Sequence, residues 1–286
     1  MMHRSRGLFT IVLLGTVLLG AACAARRPAT LASTTAGRNV ALVVVTWNVQ
    51  EGRGDVLGFI EDLAGGRLTG RPVQDFVIFL QETIEGGEHD VMGIAGDLGL
   101  SAHFVPVRQT DRGLSGNAIL ATRPLLSTHA IDLPRVRRQR NAAAATIEIA
   151  GTHLFAVSAH LENRAGWLRA LLFSDRGRAR QAEALLRSLP AGPGIVGGDL
   201  NTWLGAGEPA RRVLLTRFED TPTVPLGPTF HGRLVLDHLF FDLPEAWEAT
   251  HQVVRSRYGS DHHPVVGVLF HKTPRPGTLI AAEALD

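Results

Sequence analysis

The sequence has one cysteine, one tyrosine and 3 methionines among its 286 residues. A single cysteine excludes an internal disulfide framework and every zinc cluster built on thiolates. Long hydrophobic runs are also scarce, because only residues 7–25 form an uncharged stretch near the ~20 residues that a spanning helix needs. A polytopic membrane protein is therefore excluded. The chain is nevertheless 45% hydrophobic, which provides a sizeable core and excludes disorder over most of its length.

Net charge is small as well. The chain has 29 Lys+Arg against 27 Asp+Glu, a balance of +2. Two of the arginines, Arg4 and Arg6, lie in the N-terminal segment, so the remaining chain is neutral. A neutral domain does not bind polyanions through its bulk charge, and any basic function must be local.

Residues 1–25 have the layout of a secretory signal: two arginines, an apolar stretch from Leu8 to Leu19, and then small residues. Three alternatives stay open for this segment. The sequence LGAAC resembles a bacterial lipobox, which would place a lipid on Cys23. Ordinary cleavage would discard Cys23, and an uncleaved segment would act as an anchor. In each case we expect an exported protein, of the cell envelope, the periplasm or the medium, attached to a membrane only at its N-terminus.

The folded domain is predicted over residues 39–272, between a flexible tether at 26–38 and a loose tail at 273–286. Short apolar runs alternate there with Gly/Pro turns. Strands are predicted at 40–45, 76–80, 117–122, 142–149, 154–159, 194–198, 234–241 and 264–270. Helices are predicted after the N-cap Asp55, at 89–98 and at 178–189. This pattern favours one α/β domain of two packed sheets, and we expect a monomer.

Polar residues that can bind metals recur at the predicted strand ends, where open sheets build sites on a rigid frame. Each one alone is weak evidence, since an Asp after a strand is commonly a turn residue. Their recurrence at six strand ends indicates a site. Oxygen ligands of this kind suit Mg²⁺, or Mn²⁺ as a substitute. The residues are Asn48, Glu82, His160, Asp199, Asn201, Asp237, Asp261 and His262.

The segments that carry these residues resemble the endonuclease/exonuclease/phosphatase superfamily, whose fold is that of deoxyribonuclease I. They occur in the family order and extend over about residues 40–270. The resemblance implies a four-layer α/β sandwich, in which two mixed β-sheets pack face to face and are flanked by helices. The segments are TWNVQEG (46–52), FLQET (79–83), GNAILATRPL (116–125), SAHLENR (158–164), GGDLNTW (197–203), LDHLFFD (236–242) and GSDHHPVV (259–266).

The resemblance also implies roles for these positions. Asn48, Glu82 and Asp261 match positions that hold the divalent metal. Asp199 would orient the attacking water or the metal, and Asn201 would contact the scissile phosphate. His160 matches a histidine that contacts the phosphate and is a proposed general acid.

His262, oriented by Asp237, would activate water or bind the phosphate. A His–Asp pair supplies a base with a fixed tautomer and a pKa near neutrality. We expect the adjacent His263 to be structural, because neighbouring residues of a strand face opposite sides.

Candidate substrate contacts are Asn117, in the GNAIL segment, and Arg137 and Arg138, in the basic run Pro134–Arg140. Arginine forks bind phosphate oxygens well. The alternative is that this run is a solvated loop between two strands. If it overhangs the site, it would follow a polyanionic strand.

Three functions stay open on this evidence. The first is an exported, metal-dependent nuclease or related phosphodiesterase, with a phosphate ester such as nucleic acid as its partner. The second is a phosphatase or sphingomyelinase-like phospholipase that acts on lipid head groups. The third is a catalytically silent binding module.

Overall fold

A computed structural model describes residues 39–87, 89–163, 170–224 and 226–272. The predicted signal segment, the tether and the C-terminal tail lie outside the described residues. Within the described ranges, no helix combines the length and the apolar character that crossing a membrane would require.

A six-stranded sheet forms half of the core, with strand order β10-β11-β1-β2-β4-β3. Its central strand β1 is rich in β-branched residues and is buried from Leu42 to Asn48, as expected for a strand covered on both faces. It pairs in parallel with β2 and antiparallel with β11. The strands are β1 (Val40–Asn48), β2 (Phe76–Glu85), β3 (Ser101–Thr110), β4 (Gly113–Ala121), β10 (Trp247–Val253) and β11 (Val265–His271).

A five-stranded sheet, of order β5-β6-β7-β8-β9, packs on the first. The alanines of strand β6 face two different cores. Ala143 and Ala145 belong to the core between the sheets, whereas Ala142 and Ala144 belong to the core on the outer face. This is the period-two alternation of a strand with two buried faces. The strands are β5 (Ser127–Leu133), β6 (Arg140–Ile149), β7 (Thr152–His160), β8 (Gly194–Asp199) and β9 (Asp237–Asp242).

Helices cover both outer faces. Helix α1 (Val56–Ala64) and helix α2 (Val91–Asp97) contribute to the core outside the six-stranded sheet. Helix α3 (Ala170–Ser188) and helix α4 (Pro209–Leu215) cover the five-stranded sheet, and a 3₁₀ turn (Gly205–Gly207) precedes α4. The predicted four-layer α/β sandwich of two packed mixed sheets is confirmed.

Three details of the sequence prediction need correction. The predicted strand 234–241 begins at Asp237, so this residue opens β9 and does not interrupt it. Glu82 does not follow a strand, because β2 continues to Glu85. His263 precedes β11, so strand alternation does not apply to it; its Nδ1 lies 2.9 Å from the Val254 carbonyl, a structural contact.

Candidate active site

Strand register assembles the centre of the site. His160, the last residue of β7, lies opposite Asp199, the last residue of β8. Asp199 in turn lies opposite Asp237, the first residue of β9. Asn48 ends β1 in the other sheet, and its Nδ2 donates a hydrogen bond to Asp199 Oδ2 at 3.0 Å. His160, Asp199 and Asp237 thus form a row across the ends of three neighbouring strands, and Asn48 joins this row to the second sheet.

Asp199 lies at the middle of this cluster. Its Oδ1 accepts a hydrogen bond from the Asn201 backbone N–H at 2.9 Å. Its Oδ2 lies 3.5 Å from His160 Nε2 and 3.9 Å from His262 Nε2. Burial, opposed by the charge of His262 and reinforced by that of Asp237, raises the pKa of Asp199 to about 7.

His262 and Asp237 form the predicted dyad. His262 Nδ1 lies 2.8 Å from Asp237 Oδ2, and both side chains are buried. An ionised carboxylate only accepts hydrogen bonds, so Nδ1 carries the proton and Nε2 faces Asp199. Burial lowers the pKa of His262, but the charge and hydrogen bond of Asp237 and the charges of Asp199 and Asp261 outweigh this effect. They raise the pKa of His262 to about 10, above the near-neutral value expected from the sequence.

The backbone of His262 is held on both sides. Its N–H donates to Ser260 Oγ at 3.0 Å, and its carbonyl accepts a hydrogen bond from Trp47 Nε1 at 3.2 Å. Ser260 Oγ also donates to the Asn48 carbonyl at 2.7 Å. The dyad is therefore fixed to β1, the strand that carries Asn48.

Glu82 and His160 form the opposite side of the site. Glu82 lies at an irregularity of the β2–β4 register, between Leu80 and Thr83, and its φ is 55°. Its side chain is 30% exposed, and Oε1 lies 3.9 Å from His160 Nε2. Burial, with the nearby charges of Arg140 and other cations, holds the pKa of His160 well below its usual range. His160 is therefore neutral, which favours contact with the phosphate over general-acid catalysis.

The donor set fits a hard divalent cation such as Mg²⁺, which prefers carboxylate oxygens. Glu82 is partly exposed and approaches His160, beside the buried carboxylate of Asp199. Among the described residues, one group of three ligand atoms lies within 4.8 Å of one another, from Asp199, Asp237 and His262. The 2.8 Å contact within the dyad already occupies Asp237 Oδ2, whereas the buried Asp237 Oδ1 has no partner among the described residues.

The other predicted site residues, Asn48, Asp261 and Asn201, make contacts within the protein. Asn48 Oδ1 accepts a hydrogen bond from the Gln50 backbone N–H at 2.9 Å, so in this arrangement Asn48 orients Asp199. Asp261 Oδ1 lies 4.0 Å from His262 Nε2, and its side chain is 27% exposed. The Asn201 amide donates to the Leu161 carbonyl at 3.2 Å.

A cavity of about 400 Å³ opens beside Glu82 and His160. The three predicted phosphate contacts, Asn117, Arg137 and Arg138, line it. Asn117 is buried, and its Nδ2 donates to the Asn141 carbonyl at 2.8 Å and to Asn141 Oδ1 at 3.0 Å. Both of its hydrogen-bond donors are committed, whereas the side chains of Arg137 and Arg138 are exposed.

The sequence did not single out Arg140, Glu162 or Ser260 as site residues. Arg140 was only one member of the basic run, and Glu162 follows His160 by two positions. Glu162 Oε2 accepts hydrogen bonds from the backbone N–H groups of Arg137 and Arg138, both at 2.9 Å. A carboxylate two positions after a motif histidine was the available signal for this contact.

The chain is similar in sequence and in structure to known proteins. The sequence profile described as "Endonuclease/Exonuclease/phosphatase family" matches residues 45–262. No curated protein matches the sequence. Among solved structures, the human Nocturnin catalytic domain with a bound sulfate anion has a TM-score of 0.62 and 20% identity, over 82% of this chain and 95% of that one.

Two further structures have the same fold. Sphingomyelinase C from Streptomyces griseocarneus has a TM-score of 0.55 and 18% identity, over 79% of this chain and 98% of that one. A variant of beta toxin from Staphylococcus aureus with bound magnesium ions has a TM-score of 0.54 and 16% identity, over 81% of this chain and 99% of that one.

Proposed function

The chain belongs to the endonuclease/exonuclease/phosphatase family, and from that premise we propose that it is an exported, Mg²⁺-dependent hydrolase of phosphodiester bonds of the nuclease type. Members of this family are phosphoesterase hydrolases. The observation that carries the proposal is the buried cluster of Asp199, Asp237 and His262 beside Glu82 and His160.

Phosphodiester hydrolysis needs an activated water, charge stabilisation on the non-bridging oxygens and a fixed phosphate. Asp199 Oδ2 lies between the two imidazoles, 3.5 Å from His160 and 3.9 Å from His262, and would orient the attacking water. Asp237 fixes the His262 tautomer, so that Nε2 points to the same place. His160 and Asn201 would contact the scissile phosphate.

Glu82 and Asp199 would hold the divalent cation, with Asp261 and Asn48 next to them. When bound, the ion supplies positive charge to the phosphate oxygens that become more negative in the transition state. The protein contributes a rigid frame for the catalytic residues Glu82, His160, Asp199, Asp237 and His262. Three of these five, His160, Asp199 and Asp237, end or begin a strand, and Glu82 lies within β2.

The charge of the cavity discriminates between substrate classes. Five arginines line it, and Glu82 is the only carboxylate among its described lining residues. A choline head group carries a permanent positive charge, which such a cavity repels. The arginines favour an anionic substrate such as a nucleic acid strand over sphingomyelin, although the fold is shared with a sphingomyelinase. A silent binding module would have no need for the buried acid–histidine cluster.

Export is supported by the N-terminal sequence alone. Two arginines precede the apolar stretch from Leu8 to Leu19, and small residues surround Cys23. We propose that the domain acts outside the cytoplasm as a monomer, held to a membrane only through this segment.

The test measures hydrolysis of plasmid DNA, RNA, bis-p-nitrophenyl phosphate, sphingomyelin and inositol phosphates with Mg²⁺, with Mn²⁺ and with EDTA. Glu82→Gln is compared with Glu85→Gln, a matched change at a partly buried residue of the same strand. We expect Glu82→Gln to lower activity on the nucleic acids by at least 100-fold and to weaken Mg²⁺ binding, whereas Glu85→Gln retains both. Full activity of Glu82→Gln in EDTA would refute the metal-dependent mechanism.

A further inference from the structure

Arg140 is a buried cation that makes no direct ion pair within the described part of the chain. Its side chain is 9% exposed, and its Nε has no hydrogen-bond partner among the described residues. Within the same residues its guanidinium group makes no ion pair. Arg178, the other arginine among the described residues that is buried to this degree, is 1% exposed and its Nε donates to Glu208 Oε1 at 2.8 Å. Its Nη1 has no partner among these residues, but its charge is paired with that of Glu208. Burial of an unpaired charge is strongly unfavourable, so a fold that retains one calls for an anion from outside.

The cavity beside the active site is where this anion would bind. Arg140 lines it together with Glu82 and His160. Arg108, Arg135, Arg137 and Arg138 line it as well, and of these Arg108 is already paired with Glu51. Positive charge therefore exceeds negative charge immediately next to the catalytic residues.

The loop that carries Arg137 and Arg138 is fixed at its backbone. Glu162 is buried and accepts both backbone N–H groups at 2.9 Å. The Gln181 side chain accepts from the Glu162 N–H at 2.8 Å and donates to the Pro134 carbonyl at 3.0 Å. These contacts engage Glu162 through backbone amides and keep the loop in place over the cavity. The charges of Glu162, Asp199 and Glu82 favour the charged form of Arg140, but none of these carboxylates forms a direct ion pair with it among the described residues.

We propose that this cavity is a subsite for a second phosphate group of the substrate, adjacent to the phosphodiester that is hydrolysed, and that Arg140 binds this phosphate. The inference rests on the proposed function and narrows it: the preferred substrate is a nucleotide chain that carries a phosphate next to the scissile one. The planar fork of arginine fits phosphate oxygens in a bidentate manner. A substrate with one phosphate, such as sphingomyelin, would leave the subsite unused.

The first experiment measures binding without catalysis. Thermal melts of the full chain in EDTA are recorded with increasing inorganic phosphate for the wild type, Arg140→Gln, Arg140→Lys and Arg178→Gln. We expect Arg140→Gln to need at least 10-fold more phosphate than the wild type for the same rise in melting temperature, and Arg140→Lys to lie between them. In phosphate-free buffer, Arg178→Gln should lower the melting temperature because Glu208 loses its partner, whereas Arg140→Gln should not.

The second experiment measures substrate preference. Values of kcat/KM with Mg²⁺ are compared for a thymidine dinucleotide with no terminal phosphate, with a 5′-phosphate and with a 3′-phosphate. One charge-assisted bidentate contact corresponds to about 10-fold or more in affinity. We expect the wild type to prefer one phosphorylated form by at least 10-fold, and this ratio to fall below about 3 in Arg140→Gln. Arg123→Gln, at an exposed arginine paired with Asp75 outside the cavity, should keep the wild-type ratio.

The outcomes separate the two proposals. If the wild type hydrolyses all three dinucleotides equally, the subsite is refuted while the proposed function stands. If nothing is hydrolysed but Arg140→Gln still weakens phosphate binding, a phosphate site at Arg140 stands, whereas the proposed function, and with it the role of this site in hydrolysis, is refuted. A large drop in the phosphate-free melting temperature of Arg140→Gln, comparable to that of Arg178→Gln, would show a structural role for Arg140 and overturn the inference.

Discussion

Replacing Asp237 with asparagine tests the dyad while preserving side-chain volume. Asp237 is fully buried; its Oδ2 lies 2.8 Å from His262 Nδ1, and its Oδ1 has no partner among the described residues. If the asparagine oxygen faces Nδ1, the amide NH₂ takes the place of Oδ1 and remains unsatisfied. If it flips, N–H faces Nδ1 and enforces the other tautomer. Either orientation costs about 1–3 kcal/mol, less than the stability of a typical domain, so the variant should fold.

Turnover should fall much more than stability. Loss of the orienting carboxylate lowers kcat by about 10⁴ in the Ser-His-Asp template, and we expect a loss of about 10²–10⁴ here. The assay measures kcat for bis-p-nitrophenyl phosphate and the melting temperature of the wild type, Asp237→Asn and the control Asp242→Asn. Asp242 lies at the opposite end of β9 from Asp237. A collapse of the Asp237→Asn melting temperature, or wild-type turnover, would refute the role assigned to Asp237.

Three further predictions concern stability, salt and location. Burial, with the charge of Arg211 and despite that of Asp237, lowers the pKa of His238 from 6.5 to about 4. The unfolded chain therefore gains this proton first as pH falls, and the contribution of His238 to the free energy of unfolding should decrease by about 3 kcal/mol between pH 6.5 and 4. Urea denaturation at several pH values measures this loss, and His238→Gln should remove it. Replacing Arg137 and Arg138 with alanine should flatten the salt dependence of log KM for DNA by about one to two units, and an unchanged slope would show a solvated loop. Cys23→Ser should release the protein from membranes or block its processing; a mature N-terminus at Ala24 or beyond, measured by mass spectrometry of the wild type, would contradict lipidation.

The central strands could be predicted from sequence, whereas three other strands could not. Strands β1, β2 and β8 are covered on both faces, so their residues are apolar almost throughout and the runs are easily seen. The strands that were missed, β3, β5 and β10, all lie at sheet edges. Strand β5 exposes its first four residues, and β3 contains Pro106, which sequence rules read as a strand breaker. Helix α4 spans only seven residues, too few for a periodic pattern.

The members of the catalytic cluster could be predicted from sequence only through the ordered family segments. Their positions relative to one another could not be predicted, because they depend on how the strands pair. In the sequence the apolar run ends at Leu80 and polar residues follow, so the continuation of β2 to Glu85 could not be predicted. In the structure Glu82 has a φ of 55° at an irregularity of the strand. That irregularity arises from pairing with β4, more than 30 residues later, which local patterns do not encode. The same holds for Asp199, which meets His160 and Asp237 through two different strand pairings.

The basic run shows most clearly what sequence leaves undecided. In PRVRRQR the arginines are chemically equivalent, yet Arg137 and Arg138 are exposed whereas Arg140, the first residue of β6, is buried. The difference arises because Glu162, 24 and 25 residues later, fixes the backbone at Arg138 and Arg137, and the following strand then carries Arg140 inward. Substrate preference should therefore depend on the contact between the start of β6 and the end of β7. Glu162→Gln, which weakens that contact without removing any arginine, should raise KM for DNA more than it lowers kcat.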